Sequence, residues 1–128
     1  MRGPIRILIA MSLAFVAVAC GGGGDGNAGG AGGGATVDLV ARDTSFDTGE
    51  ITLTAGAQTT VHFDNQDDGL PHNFAIYEDE SAETPIFQGD IVEGPNTTDY
   101  TFTAPDAGTY FFRCDVHPTQ MSGTVVVE

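Results

Sequence analysis

The sequence reads as an all-β protein, a two-sheet antiparallel β-sandwich over residues 36–128, held behind an apolar leader and a glycine-rich link. Three observations point there. Short stretches rich in Val, Thr, Phe and Tyr recur between clusters of Gly, Pro, Asn and Asp. No stretch beyond residue 35 sustains a helical period. Ten Phe and Tyr fall in those 93 residues, enough for a core without a disulfide.

The chain begins with a positive segment, Arg2 and Arg6, followed by 13 residues from Ile7 to Ala19 interrupted only by Ser12. A bilayer span needs ~20 apolar residues, so the run fits a secretory signal instead. Residues 1–19 are therefore expected to be a signal peptide. The junction Ala17-Val18-Ala19-Cys20-Gly21 resembles a bacterial lipoprotein box, which implies lipidation of Cys20; a plain cleaved signal is the alternative. Residues 20–35 carry ten glycines after the cysteine and cannot form a core. Such a link has a root-mean-square span of about 20 Å and a reach of about 50 Å. The expected arrangement is a domain secreted across the cytoplasmic membrane and leashed by lipid to its outer side.

Within 36–128 the candidate strands are 37–41, 51–54, 60–63, 73–77, 85–87, 98–102, 109–113 and 123–127. Seven or eight short strands at this spacing are the pattern of a sandwich. Glu78–Thr84 reads as a short irregular turn, and no internal repeat is present. Phe46, Phe63, Phe74, Phe87, Tyr100 and Phe102 read as core. His62 lies between inward-pointing Val61 and Phe63 and is expected on the surface.

The chain has 18 acidic residues against 4 arginines and no lysine, a formal charge of −14. That balance excludes nucleic acid as a partner, since phosphate recognition needs clustered cations. It suits a soluble surface that attracts a cationic protein. Asp67-Asp68 and Glu78-Asp79-Glu80 with Glu83 are either a docking patch of this kind or plain solvated charge.

With Cys20 assigned to the lipid, Cys114 has no disulfide partner in the chain. Alternation along 110–114 puts it on the core side with Tyr110 and Phe112, where the strand ends. His117 and Met121 follow in the next loop, and Pro71-His72-Asn73 brings a second histidine from upstream. Two histidines, a cysteine and a weak axial methionine are the ligand set of a blue-copper electron-transfer site. Cys-x-x-His alone is a weak signal; the four residues together in an all-β context are a strong one.

On GLPHNFAIYEDE (69–80) and AGTYFFRCDVHPTQMSG (107–123) the sequence resembles the cupredoxin family, in particular the plastocyanin- and amicyanin-like small blue copper proteins. The resemblance implies a Greek-key sandwich with one copper ion, Cu(I)/Cu(II), near one end. It implies His72 and His117 as Nδ1 ligands, Cys114 as thiolate, Met121 as axial ligand, and Asn73 as the residue that ties the two ligand loops together. The His-to-Met gap is three residues, between the plastocyanin and amicyanin spacings, which leaves Gln120 as an alternative to Met121. Arg113 stands where plastocyanins carry a tyrosine on a proposed second electron path, so His117 becomes the expected port. Leu70, Pro71 and Pro118 flank the histidines as an apolar rim for brief contact with a redox partner.

The function so implied is single-electron transfer between redox partners by a monomeric, tethered copper protein that is not an enzyme. Three other readings use the same residues: a copper module for delivery or storage, a zinc site on Cys114, His72 and His117, and a cysteine nucleophile activated by His117.

Overall fold

The computed structural model describes residues 34–128. The signal segment, Cys20 and nearly all of the glycine-rich link lie outside the described residues. Eleven strands follow in order: β1 (Ala35–Arg42), β2 (Ser45–Phe46), β3 (Glu50–Leu53), β4 (Gln58–Asn65), β5 (Pro71–His72), β6 (Ala75–Tyr77), β7 (Pro85–Gln88), β8 (Val92–Glu93), β9 (Asn96–Thr103), β10 (Gly108–Arg113) and β11 (Ser122–Val127). One sheet has the order β2-β1-β4-β9, the other β3-β11-β10-β6-β7, and β5 and β8 form a two-stranded ladder.

All eight expected strand regions contain β structure. The three further strands have two residues each, too short to display alternation in the sequence. The expectation of antiparallel sheets needs one amendment: β1 pairs with β4 in parallel, as does β3 with β11. Between β1 and β4 the chain visits the opposite sheet as β3, and that crossing returns it in the same direction.

Alternation decides which side chains fill the space between the sheets. Along β4, Thr59, Val61, Phe63 and Asn65 are buried and His62 is exposed. Phe74, fully buried, sits among Phe112 of β10 and Tyr100 and Phe102 of β9, with ring centroids 5.6, 6.5 and 6.3 Å away. It thus joins aromatic side chains from both sheets. Phe112 is opposite Gly123 in the β10–β11 ladder. A Cβ on Gly123 would lie 2.6 Å from the Phe112 ring and 2.5 Å from the Gly49 carbonyl oxygen. Glycine there lets the ring approach β11 closely, two residues before Cys114.

On the outer face, register places Asp38, His62 and Asp99 side by side across β1, β4 and β9. His62 Nδ1 is 2.5 Å from Asp99 Oδ1. That bond and the charge of Asp99, helped by Asp38 and Asp64, raise the His62 pKa above its ordinary 6.5. A raised folded-state value contributes stability that is fully present below the unfolded pKa and is lost as pH rises through the folded one. Accordingly, His62→Ala should lower the melting temperature at pH 5.5 and leave it nearly unchanged at pH 9. An equal loss at both values would show that the charged pair contributes nothing.

Candidate metal centre

His72 is delivered by a loop that the buried Asn65 side chain organises. Its amide donates to the carbonyls of Leu70 and Val92, both at 2.8 Å, and its oxygen accepts the Asp67 N–H at 3.0 Å. One side chain therefore shapes the loop before β5 and pins β8 beside it. Gly94 closes the arrangement, because a Cβ there would lie 2.3 Å from the Asp67 carbonyl oxygen.

Asp67 is buried under His72. Its Oδ2 lies 2.7 Å from His72 Nε2, and its two oxygens accept the N–H groups of Asp43 at 2.6 Å and Thr44 at 2.9 Å. Burial alone would raise its pKa, but the donors from Thr44, His72 and Asp43 outweigh that and hold it below the ordinary carboxylate value. Of the acidic residues that could form a docking patch, Asp67 faces the interior, while Asp68, Glu78, Asp79, Glu80 and Glu83 are exposed.

Cys114 comes from the end of β10 and is fully buried. Its N–H donates to the Met121 carbonyl at 2.9 Å, which closes the loop. Inside, the His117 N–H donates to the Cys114 carbonyl at 3.2 Å, and the N–H groups of Gln120 and Met121 donate to the His117 carbonyl at 3.2 and 3.0 Å. These turns fold three donor side chains back toward one another. Met121 is fully buried in the same cluster as Cys114, whereas Gln120 is exposed, so Met121 is the candidate for the axial position.

His72, Cys114 and His117 come together. The two Nδ1 atoms are 3.1 Å apart, and Cys114 Sγ is 3.8 Å from that of His72 and 3.9 Å from that of His117. The point equidistant from all three lies about 2.1 Å from each, close to metal–nitrogen and metal–thiolate bonds of ~2.0–2.3 Å. The donor chemistry agrees. A carboxylate only accepts, so His72 Nε2 carries a proton, which leaves Nδ1, 3.1 Å from the Nδ1 of His117, as the nitrogen that faces a metal. A cation between the two nitrogens satisfies both.

Asn73 links the two loops. Its oxygen accepts the Asp115 N–H at 2.7 Å, and its amide donates to Asp115 Oδ2 at 3.1 Å and to the Gly89 carbonyl at 3.0 Å. Asp115 also accepts from the Tyr77 hydroxyl at 2.6 Å and from Arg113 Nε at 3.0 Å. The Arg113 guanidinium lies over the Tyr77 ring, 4.7 Å from its centroid. Burial would raise the Asp115 carboxyl, but bonds from Tyr77, Asn73 and Arg113 hold it below its ordinary value.

Asn65, Asp67, Tyr77 and Asp115 were not singled out as parts of the site by sequence reasoning. Asn65 and Asp67 sit in a run of turn residues that reads as solvent-exposed, and Tyr77 reads as an ordinary strand aromatic. Asp115 carried the only available signal, its position between Cys114 and His117. Cys20 lies outside the described residues.

A β-sandwich with a cysteine and two histidines converging at its loop-bearing end defines a metal-binding class of protein. The cupredoxin-like domain family matches residues 7–127, and the chain belongs to that family. It is 30% identical over 108 residues to auracyanin-A of Chloroflexus aurantiacus, covering 65% of this chain and 67% of the relative. The structure of that auracyanin, described as a "blue" copper protein, superposes with a TM-score of 0.67 at 25% identity, over 74% of this chain and 99% of that one. Dithionite-reduced auracyanin from Roseiflexus castenholzii gives a TM-score of 0.66 at 24% identity, over 77% and 99%, a likeness of fold. Reduced rusticyanin gives 0.61 at 25% identity, over 74% and 79%.

The loop link makes its own prediction. Asn73→Ala removes three hydrogen bonds and strands the Asp115 N–H. The metal-free protein should lose about 1–3 kcal/mol in denaturant unfolding, and bound metal should dissociate faster. Unchanged stability and dissociation would show that the loops hold their places without it.

Proposed function

We propose that this protein carries single electrons through one type 1 copper ion held by His72, Cys114, His117 and, axially, Met121. The carrying observation is the closed triangle of two imidazole nitrogens and a thiolate sulfur around a point at bonding distance from all three. Bound there, copper supplies a one-electron couple. The soft sulfur donors suit Cu(I) and the imidazoles suit Cu(II), so one rigid set serves both.

The protein's own residues do the rest. Cys114, His72 and Met121 are sealed from water, while His117 is only partly buried. His117 is therefore the port through which an electron crosses to a partner. Leu70, Val116 and Pro118, within two residues of a ligand histidine in sequence, are exposed, as is Ile91 directly before β8. An apolar rim built from them would suit the small, short-lived interfaces of redox encounters. Three strong ligands and a buried thioether leave no place for a substrate, which supports a carrier rather than an enzyme. Full burial of Cys114 likewise disfavours a thiol nucleophile.

The partner we expect presents a cationic face, because the chain carries a charge of −14 and exposes Glu78, Asp79, Glu80 and Glu83 on the β6–β7 loop. The leader and Cys20 support export and lipid anchorage, with the domain working as a monomer close to the outer side of the membrane.

Adding Cu(II) to the purified protein should give an intense blue band that ascorbate bleaches and oxidant restores. A colourless protein that retains zinc would replace this reading with a metal-stabilised module. Copper bound without reversible bleaching would favour delivery or storage. Cys114→Ser should abolish the band. Met121→Leu should keep it and raise the reduction potential, since losing a donor favours Cu(I); an unchanged potential would remove Met121 from the ligand set.

A further inference from the structure

The Asp67–His72 contact extends the copper reading, on which this inference rests. We infer that Asp67 is a positioning residue for His72 that makes the site favour a divalent ion over a monovalent one. His72 Nε2 lies 2.7 Å from Asp67 Oδ2 with both groups buried. The carboxylate also accepts backbone N–H groups from Asp43 and Thr44, at the tip between β1 and β2 and 24 and 23 residues upstream. Every polar neighbour of that carboxylate is therefore a donor, and it sits there as a buried acceptor.

Two consequences follow from charge and geometry. The Asp67 oxygen fixes the Nε2–H form of His72, so Nδ1 is always the nitrogen turned toward Cys114 and His117. It also places a second negative charge behind His72, across the imidazole from the Cys114 thiolate. A divalent ion among them gives a neutral buried site, whereas a monovalent ion leaves one uncompensated negative charge in an apolar surround, which is costly. Asp67 thus stabilises the oxidised state and lowers the potential. The hairpin tip shares in this. Asp43 and Thr44 both have φ of 54°, an unfavourable conformation for a β-branched threonine, and their N–H groups are turned onto the carboxylate.

The test compares the wild-type chain with Asp67→Asn, which removes the charge at nearly constant shape. Zn(II) affinity, measured by chelator competition, should fall 10–100-fold, the range for losing a partner of a ligating histidine. Cu(I) affinity should fall much less. In the copper-loaded protein each tenfold difference between Cu(II) and Cu(I) losses appears as a rise of ~59 mV in potential. Asp106→Asn removes a charge of the same kind from an exposed position between β9 and β10, and should leave both affinities and the potential where they were. Equal losses for Zn(II) and Cu(I) would reduce Asp67 to a structural support, and no loss would overturn the inference entirely. Because the zinc arm needs no redox activity, it judges Asp67 even if the wild-type protein proves not to be blue.

A second measurement uses the wild-type chain alone and stands even if Asp67→Asn does not fold. In the zinc-loaded protein, nitrogen-15 NMR should show His72 with a slowly exchanging proton on Nε2. A rapidly exchanging proton there would contradict the buried contact.

Discussion

Three donor atoms from two loops have to converge on one point, and the hydrogen bonds between Asn73 and Asp115 keep those loops in register. The pairing joins positions 42 residues apart in the chain. It acts directly beside the ligands, since Asn73 follows His72 and Asp115 follows Cys114. Without it, the loop after β10 would keep its own turns and the Tyr77–Asp115 bond but would lose its tie to the residue beside His72.

The rest of the fold makes this pairing rigid. Phe74, immediately after Asn73, is locked among aromatic rings from both sheets, so the backbone carrying His72 and Asn73 cannot drift. Phe112, two residues before Cys114, stacks against glycine in β11 and fixes the inward direction of the thiolate. Asn65 shapes the loop before His72, and Asp67 supports that imidazole from behind. Ligand positions are thus set by packing and by hydrogen bonds outside the ligand set, which is how a site comes to be formed in advance of its metal. For one-electron chemistry such rigidity has a direct benefit, because a frame that does not rearrange adds little to the barrier for transfer.

The strands long enough to alternate were legible in the sequence, as was the convergence of His72, Cys114 and His117. Each depends on local pattern: period-two burial along 58–65, the turn Pro71-His72-Asn73, and the close spacing of Cys114 and His117. What was not legible depends on distant pairing. The parallel pairings of β1 with β4 and β3 with β11 follow from how the chain crosses between sheets, which no local window contains. Asp67 looked like one more charge in an acidic chain, and only the approach of the β1–β2 tip and His72 turns it inward. Tyr77 and Asp115 likewise acquire their roles from one another across 38 residues.

The central claim is that the folded chain builds the ligand triangle before metal arrives. Crystal structures of the metal-free, Cu(I) and Cu(II) forms test it most directly. The account predicts that the Nδ1–Nδ1 and Nδ1–Sγ separations of 3.1, 3.8 and 3.9 Å persist in all three, within about 0.2 Å. A metal-free form in which His72 or His117 has swung out of the triangle, with the Asn73–Asp115 bonds broken, would contradict it.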